Sequence, residues 1–178
     1  DEMGISAFKI SASDLTNHIL LKYIASKNKT LILSSGLATS NEVDETINFL
    51  KKLYMRNKII LLQTTSSYPT NYSEVNLRVI SSYKKRYNIL VGLSDHTKNE
   101  IASLGAVSLG ACVLEKHFTL DQKLPGRVNK FAILPEQRKK LADFRDNYEK
   151  MNINMGLELQ ECEMDTYENY RGRWSKKV

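Results

Sequence analysis

The alternation of short apolar segments with longer amphipathic ones is the feature that most restricts how this chain can fold. Five segments are apolar on both faces: 7–10, 31–33, 59–63, 89–93 and 111–114. That pattern is typical of parallel strands covered by helices, and the segments recur about every 20 to 30 residues. The sequence therefore predicts a β-α-β-α series, either a doubly wound sheet or part of a (β/α)₈ barrel.

Helical periodicity fills the stretches between these segments. The predicted apolar faces are Ile19, Leu20, Tyr23 and Ile24; Val43, Ile47, Leu50 and Leu53; Val75, Val79, Ile80 and Tyr83; and Ile101, Leu104, Val107 and Leu109. Residues 39–42 and 97–100 each fit a capping box, and Pro135 suits the first turn of a last helix that ends near Met151. We therefore predict an α/β domain over 1–151, followed by a polar linker or tail over 152–178.

Composition indicates an ordinary globular protein and narrows the function classes. The 178 residues are 42% hydrophobic and 26% charged, and no apolar run approaches the roughly 20 residues that span a bilayer. Cys112 and Cys162 are isolated in sequence, so we expect neither a disulfide nor a cysteine metal site, and a cytoplasmic location. The net charge of +6 is scattered, which argues against nucleic-acid binding and suits a phosphorylated or carboxylated small substrate.

Polar and ionisable side chains follow every predicted strand. They are Lys9 and Ser11; Ser34, Ser35 and Gly36; residues 63–69; residues 94–97; and Glu115, Lys116 and His117. The carboxyl ends of parallel strands meet at one end of an α/β fold, where ligands bind. We therefore predict one composite site.

The chemistry of this predicted site has two components. His96 and His117 follow consecutive strands and together suit a transition-metal site that leaves positions open for water and substrate, whereas a single histidine is more often a hydrogen-bonded structural residue. Lys9 and the serines could bind the oxygens of an anion such as phosphate. Any single serine is equally well explained as an ordinary loop or capping hydroxyl. His18, which precedes a helical face, is interpreted as structural.

Six strings in order resemble the sialic acid synthase family, which includes N-acetylneuraminate, legionaminate and pseudaminate synthases. The strings are FKISASDLTN, LILSSGLAT, SSYPTNYSEVNLRVI, VGLSDHT, AVSLGACVLEKHFTLD and LPG. The resemblance implies a (β/α)₈ barrel that condenses phosphoenolpyruvate with an N-acylated amino sugar such as N-acetylmannosamine. The products would be phosphate and a nine-carbon 2-keto sugar acid.

The resemblance also implies roles for individual residues. Those matching phosphoenolpyruvate contacts are Lys9, Ser34, Ser66, Tyr68 and Ser94. His96 and His117 match the ligands of a divalent ion, Mn²⁺ or Mg²⁺. Glu115 matches the acidic residue beside the metal, and we assign catalytic roles to Glu115 and Tyr68. Lys116 should face away from this cluster, because alternate strand residues point to opposite faces. A homodimer is implied for the full-length protein.

Three departures from the family pattern bear on function. Ala12 stands where a serine is usual, and Val128 stands where the loop usually carries an aspartate for the sugar hydroxyls. From the resemblance we also expect the sequence to start near the fourth barrel strand and to stop before the antifreeze-like domain that follows in the family. We therefore expect a partial barrel of about five βα units, with the N-terminal strands absent, that is inactive by itself.

Two other functions remain open on the sequence. A non-catalytic relative would keep the scaffold to bind a sugar, a phosphate or a partner protein, and Val128 favours it. A Schiff-base aldolase would use Lys9 as its nucleophile and leave both histidines without a role.

Overall fold

The computed structural model describes residues 4–53 and 58–172 and contains one parallel sheet. Its strands, in spatial as well as chain order, are β1 (Ala7–Ile10), β2 (Thr30–Ser34), β3 (Ile59–Thr64), β4 (Leu90–Asp95) and β5 (Leu114–Lys116). The helices are α1 (His18–Ala25), α2 (Ser40–Leu53), α3 (Arg78–Tyr87), α4 (Ile101–Ser108), α5 (Pro135–Met151) and α6 (Met164–Asn169). This half-barrel confirms the predicted partial (β/α)₈ fold.

The register separates a helix-covered face of the sheet from an inner face. Leu31 and Leu61 are fully buried in the core that the strands form with the helices. Lys9 pairs with Ile32, and Ile32 with Ile60, so these residues share the opposite, inner face. Leu90, paired with Ile60, is 51% exposed there. The inner face is therefore the open one, and it carries the polar strand ends.

The fifth strand begins later than predicted. The apolar residues 111–114 were expected to form it, but the strand comprises Leu114–Lys116. Cys112 N does donate to Val91 O at 2.9 Å, so the chain already contacts β4 before the regular ladder starts. Glu115 and Lys116 lie within the ladder because each finds a polar partner on its own face of the sheet.

A sixth strand-like segment, which the prediction of five strands missed, lies parallel to the chain just after β5. Phe118 and Ile133 form an isolated parallel bridge. Ile133 N donates to His117 O at 2.9 Å, and Thr119 N donates to Ile133 O at 3.0 Å. Phe131, Ala132 and Ile133 are buried. The segment before α5 is therefore a short strand-like element next to His117.

The predicted helix faces are partly wrong. In α1, Ile19 is 86% exposed, whereas Leu21 and Ala25, which were not predicted, are buried. In α4, Ile101 is 59% exposed and Ala102 and Ala106 are buried instead. Small side chains let a helix approach its neighbours closely, so they can occupy the buried side while larger residues point to solvent.

Helices α2 and α3 follow the predicted faces more closely. Val43, Ile47 and Leu50 of α2 are fully or almost fully buried, and only Leu53, at 44% exposure, departs from the prediction. Beside α3, Val75 and Ile80 are buried, as is Tyr87, which was missed. The predicted periodicity therefore holds best where the buried side of a helix is made of large aliphatic residues.

One of the two predicted capping boxes is present. Thr39 N donates to the Glu42 carboxylate at 2.7 Å, and Glu42 N donates to Thr39 Oγ1 at 3.3 Å. The box at 97–100 is wrong, because Thr97 N donates to Asp95 instead and the Glu100 carboxylate accepts from Gln137 at 2.8 Å. Helix α4 consequently begins at Ile101. Helix α5 spans Pro135–Met151 as predicted.

The chain divides into two compact units, 1–145 and 146–178. The first contains the sheet and all the buried residues of the described chain. In the second, the described residues 146–172 form the end of α5 and helix α6, and none of them is buried. Within residues 4–53 and 58–172, no helix combines the length and apolar character that crossing a membrane requires.

Candidate functional site

Glu115, on the edge strand β5, contacts Lys9 on the other edge strand, β1, across the inner face of the sheet. Ser94 Oγ donates to Glu115 Oε1 at 3.0 Å, as their pairing in the β4–β5 register allows. Lys9 Nζ lies 3.2 Å from Glu115 Oε2, although Lys9 belongs to β1 at the opposite edge of the sheet. The sheet curves enough to bring its first and last strands into contact through side chains. A polar cluster therefore forms inside the half-barrel.

Lys9 is the cationic centre of this cluster. Its Nζ donates to Ser34 Oγ at 2.9 Å and to Ile10 O at 3.1 Å, besides pairing with Glu115. Ser34 and Ser94 are each 3% exposed. An ammonium group flanked by hydroxyls provides charge-assisted hydrogen bonds for an anion. The predicted residues Lys9, Ser34, Ser94 and Glu115 are thus brought together directly.

Ser66 lies at the end of β3, next to Gly36 at the end of β2. A Cβ atom on Gly36 would clash with Ser66 Oγ and would lie 3.2 Å from Thr64 Cγ2 and 3.3 Å from Ala12 Cβ. Glycine is therefore needed for these loops to approach each other. Ala12 contributes only a methyl group here, and the hydroxyls of Ser11 and Ser13 bond to each other at 2.7 Å instead.

The two site histidines are neighbours. The ring centroids of His96 and His117 lie 5.5 Å apart, and His96 is 7% exposed. His96 Nδ1 is 3.0 Å from Thr65 O, and because a carbonyl oxygen can only accept, Nδ1 carries the proton. The lone pair of His96 is therefore on Nε2, which lies 3.5 Å from Ser94 Oγ.

Two aromatic rings contact the histidine pair. Tyr68, which is 54% exposed, lies with its ring centroid 4.3 Å from His96 and 6.0 Å from His117. Phe131 meets His117 edge to face at 5.5 Å. Sequence reasoning did not select Phe131, and its signal was the apolar run 131–134 just before α5. The two rings therefore cover part of the imidazoles.

Burial lowers the pKa of His117, and the nearby His96 lowers it further, while the Glu115 carboxylate opposes both effects. A lowered pKa favours the neutral imidazole, which is the form that binds metals. In the tautomer that Thr65 O favours, a neutral His96 ring presents its lone pair on Nε2, so both rings have a nitrogen that could act as a ligand.

These donors fit a divalent ion that takes the rest of its ligands from water and substrate. Two imidazoles are adjacent, and hydroxyl and carboxylate oxygens surround them. Within the described ranges, no group of three or more His, Cys, Asp or Glu side chains is placed to hold a metal. A site with two protein nitrogens would keep positions open, as a Lewis-acid site requires.

Lys116 lies on the opposite, helix-covered face, as predicted from strand alternation. Its Nζ is 2.9 Å from Asp95 Oδ2, and both side chains are almost fully buried. Thr97 and Ser103 complete the hydrogen bonds of Asp95, at 2.8 and 2.6 Å respectively. The pair therefore joins β4 to β5 directly behind the histidines.

The loop after β5 forms the wall of a cavity beside the histidine pair. The cavity has a volume of about 600 Å³ and is lined by Tyr68, Arg127, Val128, Lys130 and Phe131. Val128, the residue at the usual aspartate position, therefore faces this cavity. His18 lies elsewhere, stacked on Phe49 with its ring centroid at 4.6 Å, which agrees with a structural role.

The half-barrel and the polar cluster at its strand ends define a (β/α)-barrel protein whose candidate site combines an ammonium group, hydroxyls, a carboxylate and two adjacent imidazoles. A family model described as the NeuB family matches residues 1–156, and the chain belongs to that family.

Two curated relatives illustrate the similarity. The N,N'-diacetyllegionaminic acid synthase of Campylobacter jejuni is 44% identical over 142 residues, which are 79% of this chain and 42% of the relative. The human N-acetylneuraminate-9-phosphate synthase is 32% identical over 164 residues, or 92% of this chain and 45% of the relative. The chain thus spans less than half the length of these proteins.

Solved structures agree with the fold. A crystal structure of N-acetylneuraminic acid synthetase from Leptospira borgpetersenii serovar Hardjo-bovis, in complex with citrate, has a TM-score of 0.83 and 34% identity. The match covers 99% of this chain and 61% of that one. A truncated form of 3-deoxy-D-arabino-heptulosonate 7-phosphate synthase from Thermotoga maritima shares the fold, with a TM-score of 0.66 and 19% identity. That match covers 82% of this chain and 59% of the Thermotoga chain.

Proposed function

We propose that this chain forms part of a synthase that condenses phosphoenolpyruvate with an N-acylated amino sugar. The observation that carries the proposal is the cluster at the strand ends, in which Lys9 and Ser94 contact Glu115 and Lys9 also contacts Ser34, beside the histidine pair. Membership of the NeuB family and relatives named as sugar acid synthases support it.

The reaction forms one carbon–carbon bond and releases phosphate. Carbon 3 of phosphoenolpyruvate attacks the aldehyde carbon of the open-chain sugar, and the aldehyde oxygen takes a proton to become a hydroxyl. Water adds at carbon 2, and phosphate leaves. Three carbons from phosphoenolpyruvate and six from a hexosamine give a nine-carbon 2-keto sugar acid, so atoms balance without a redox partner.

Lys9 and the buried serines would bind the anionic donor. The Lys9 ammonium lies 2.9 Å from Ser34 Oγ, and both Lys9 and Ser94 contact the Glu115 carboxylate, so a phosphate or carboxylate could be held by several of these groups at once. Fixed donors of this kind hold negative charge while the leaving group departs. Glu115 is placed to accept a proton or to hold the attacking water, because its carboxylate is 43% exposed on the inner face.

His96 and His117 would hold the divalent ion, Mn²⁺ or Mg²⁺, that the donor set fits. When bound, such an ion supplies Lewis-acid polarisation of the sugar aldehyde. The protein orients the two imidazole rings: Thr65 O accepts from His96 Nδ1, and Phe131 packs against the His117 ring. Tyr68 covers the imidazoles and can exclude water from that side.

The contacts of Lys9 argue against the Schiff-base alternative. An amine nucleophile needs a free lone pair, whereas Lys9 Nζ has three acceptors within 3.2 Å: Ile10 O, Ser34 Oγ and the Glu115 carboxylate. These contacts suit an ammonium group that binds anions.

A second candidate, a non-catalytic sugar- or phosphate-binding relative, is favoured by Val128. The cavity wall has an apolar side chain where a carboxylate would accept hydrogen bonds from sugar hydroxyls. Such a protein would bind ligands at the same strand ends without turnover.

Phosphate release separates the two candidates. The natural full-length chain is incubated with phosphoenolpyruvate, Mn²⁺ and an amino sugar, and phosphate and 2-keto acid are quantified. The synthase proposal expects release that Glu115→Gln reduces about 100-fold or more, with Ser81→Ala, exposed on α3, as the matched control. Equal rates for Glu115→Gln and the control would refute it. Ligand binding with no release from any sugar would favour the second candidate.

A further inference from the structure

The loop that follows β3 contacts His96 on two sides. On the ring side, His96 Nδ1 lies 3.0 Å from Thr65 O, although the two residues are 31 positions apart in the chain. On the main-chain side, Thr70 N donates to His96 O at 3.0 Å. The segment 65–70 therefore holds this histidine by its side chain and by its backbone.

The Thr70 hydroxyl ties this segment together. Thr70 Oγ1 lies 2.7 Å from Ser67 O and 3.1 Å from Thr65 O. Both partners are carbonyl oxygens, which only accept, so the single hydroxyl proton of Thr70 is shared between them. Thr70 is 6% exposed, and water therefore has little access to compete for these bonds.

Thr65 O accepts from two donors at once. One donor is His96 Nδ1 and the other is Thr70 Oγ1. A carbonyl oxygen has two lone pairs, so both bonds can form together. Thr65 Oγ1 also donates to Glu74 O at 2.8 Å, which fixes the side chain of the same residue. The direction of Thr65 O toward the imidazole thus depends on the Thr70 hydroxyl.

The position of this carbonyl decides which nitrogen of His96 is available to a ligand. The hydrogen bond made by one ring nitrogen sets the tautomer, and the other nitrogen then carries the lone pair. Here the acceptor faces Nδ1, so the lone pair lies on Nε2. Tyr68, whose ring centroid is 4.3 Å from that of His96, belongs to the same segment. A shift of the segment would move both the acceptor and the covering ring.

We propose that Thr70 is a positioning residue for His96. Its hydroxyl holds Thr65 O where it keeps the His96 proton on Nδ1 and leaves Nε2 for a metal ion. Thr70 acts through Thr65 and touches neither the ion nor the substrate. The inference rests on the proposed function for the metal-binding role of His96, whereas the control of the His96 tautomer stands on the contacts of the loop alone.

Thr46 in α2 offers a matched control for the loss of a buried hydroxyl. It is 0% exposed, and its Oγ1 donates to Leu15 O at 3.1 Å, so its side chain makes the same kind of bond as Thr70. Helix α2 lies on the covered side of the sheet, away from the histidines. Thr46→Val therefore shows what losing such a bond does to stability without any effect on the site.

Two measurements on the natural full-length chain test the proposal. Mn²⁺ affinity is measured by electron paramagnetic resonance. The His96 tautomer is measured in metal-free protein by NMR of ¹⁵N-labelled histidine near pH 8.5, about two units above the usual pKa of 6.5. The His96 signals are identified by their absence in His96→Gln. The variants are Thr70→Val, Thr70→Ser and Thr46→Val. Thr70→Ala is a second hydroxyl-free variant, because a valine methyl in place of Oγ1 would lie very close to Ser67 O.

We expect Thr70→Val and Thr70→Ala to lower Mn²⁺ affinity about 10-fold, the lower end of the range for residues that orient metal ligands. In both variants, the single Nδ1–H tautomer of His96 should become a mixture with Nε2–H. Thr70→Ser, which keeps the hydroxyl, should match the unmodified protein in affinity and tautomer. Thr46→Val should lower the melting temperature and change neither.

Three results would overturn the role of Thr70: unchanged Mn²⁺ affinity in a folded hydroxyl-free variant, an unchanged His96 tautomer there, or an equal loss of affinity in Thr70→Ser or Thr46→Val. Failure of the proposed function gives a different result. If the unmodified protein bound no Mn²⁺, the metal-binding role of the histidines would be refuted. The tautomer would then decide the role of Thr70, since a mixture in the hydroxyl-free variants supports it and a single Nδ1–H form rejects it.

Discussion

Two ion pairs on opposite faces of the sheet, both involving β5, differ in burial and in what they can do. Asp95 and Lys116 meet on the helix-covered face with side chains that are 0% and 5% exposed. Lys9 and Glu115 meet on the inner face with side chains that are 33% and 43% exposed. Glu115 and Lys116 are adjacent in sequence, so one strand contributes to both pairs.

The difference between the pairs lies in how completely their hydrogen bonds are satisfied by the protein. The outer pair is closed: Asp95 also accepts from Thr97 N and Ser103 Oγ, and Lys116 also donates to Thr97 O at 2.8 Å. The inner pair is open to solvent, so a ligand anion can replace Glu115 at Lys9. A closed pair stabilises the fold around the site, and an open pair remains available for binding.

Removing the Lys116 cation should have the largest effect on stability. Lys116→Met leaves the Asp95 carboxylate buried without its counter-charge, and we expect the free energy of unfolding to fall by about 3–5 kcal/mol. Lys9→Met, the matched change in the inner pair, should cost less than about 1 kcal/mol because that pair is partly solvated. Urea denaturation of both variants measures the contrast, and equal losses would contradict it. In addition, Asp95→Asn/Lys116→Met should recover part of the loss.

Removing the inner-face histidines should instead abolish metal binding. His96→Ala/His117→Ala takes away both proposed nitrogen ligands, and we expect Mn²⁺ affinity to fall at least about 100-fold, with the parallel sheet retained. His18→Ala is the matched control, because His18 stacks on Phe49 away from the site and should leave Mn²⁺ affinity unchanged. Electron paramagnetic resonance of Mn²⁺ measures binding. Undiminished affinity in the double variant would exclude these ligands.

Restoring a carboxylate at Val128 should change sugar preference by about 10-fold. Val128→Asp introduces an acceptor for sugar hydroxyls, worth about 1–3 kcal/mol when such groups are otherwise unpaired. We expect condensation of neutral N-acetylmannosamine to become more efficient, as measured by kcat/KM. The isosteric Val128→Thr, which adds no charge, serves as control. If the unmodified protein has a kcat/KM for N-acetylmannosamine as high as that of Val128→Asp, the loop does not have this role.

The smallest effect is expected at an ion pair on the helices, away from both strand pairs. Hydrogen bonds from Arg86 and Tyr87 lower the pKa of Asp44. Because the folded-state pKa lies below the unfolded value of about 3.9, the stabilisation is present above that pH and is lost as pH falls through the folded-state pKa. Asp44→Asn should therefore lower stability by less than about 1 kcal/mol near neutral pH. The difference from the unmodified protein should shrink toward acid pH, and a difference that grows instead would be inconsistent with the lowered pKa.

Local patterns predicted well what depends on neighbouring residues. The strand positions, the Thr39–Glu42 cap and the start of α5 at Pro135 each follow from side chains within a few residues of one another. The cap at 97–100 failed because Asp95 and Gln137 offered better partners to Thr97 and Glu100. Asp95 lies only two residues before Thr97, so that competitor was visible in the sequence, whereas Gln137 is 37 residues from Glu100 and a local motif cannot reveal it.

The faces of α1 and α4 failed for a related reason. The exposed Ile19 and Ile101 are as apolar as the buried Leu21, so periodicity alone could not rank them. Which side is buried depends on where the helix lies on the sheet, and small residues such as Ala106 are favoured where the approach is close. Phe131 and the bridge at Ile133 had a local signal, the apolar run 131–134, but nothing in that run indicates that its first residue contacts His117.

By itself, the sequence determined that polar groups would gather at the carboxyl ends of parallel strands, because the order of strands and helices dictates which ends meet. It also determined that Glu115 and Lys116 face opposite ways, since alternation is a property of the extended chain. Only the tertiary structure decided that Glu115 pairs with Lys9, because the curvature of the sheet brings β1 toward β5. The tertiary structure alone also placed Phe131 on His117, and Arg127 and Lys130 in one cavity. These contacts join residues far apart in the chain or set side-chain direction in a loop, and neither has a repeating local signal that a sequence can display.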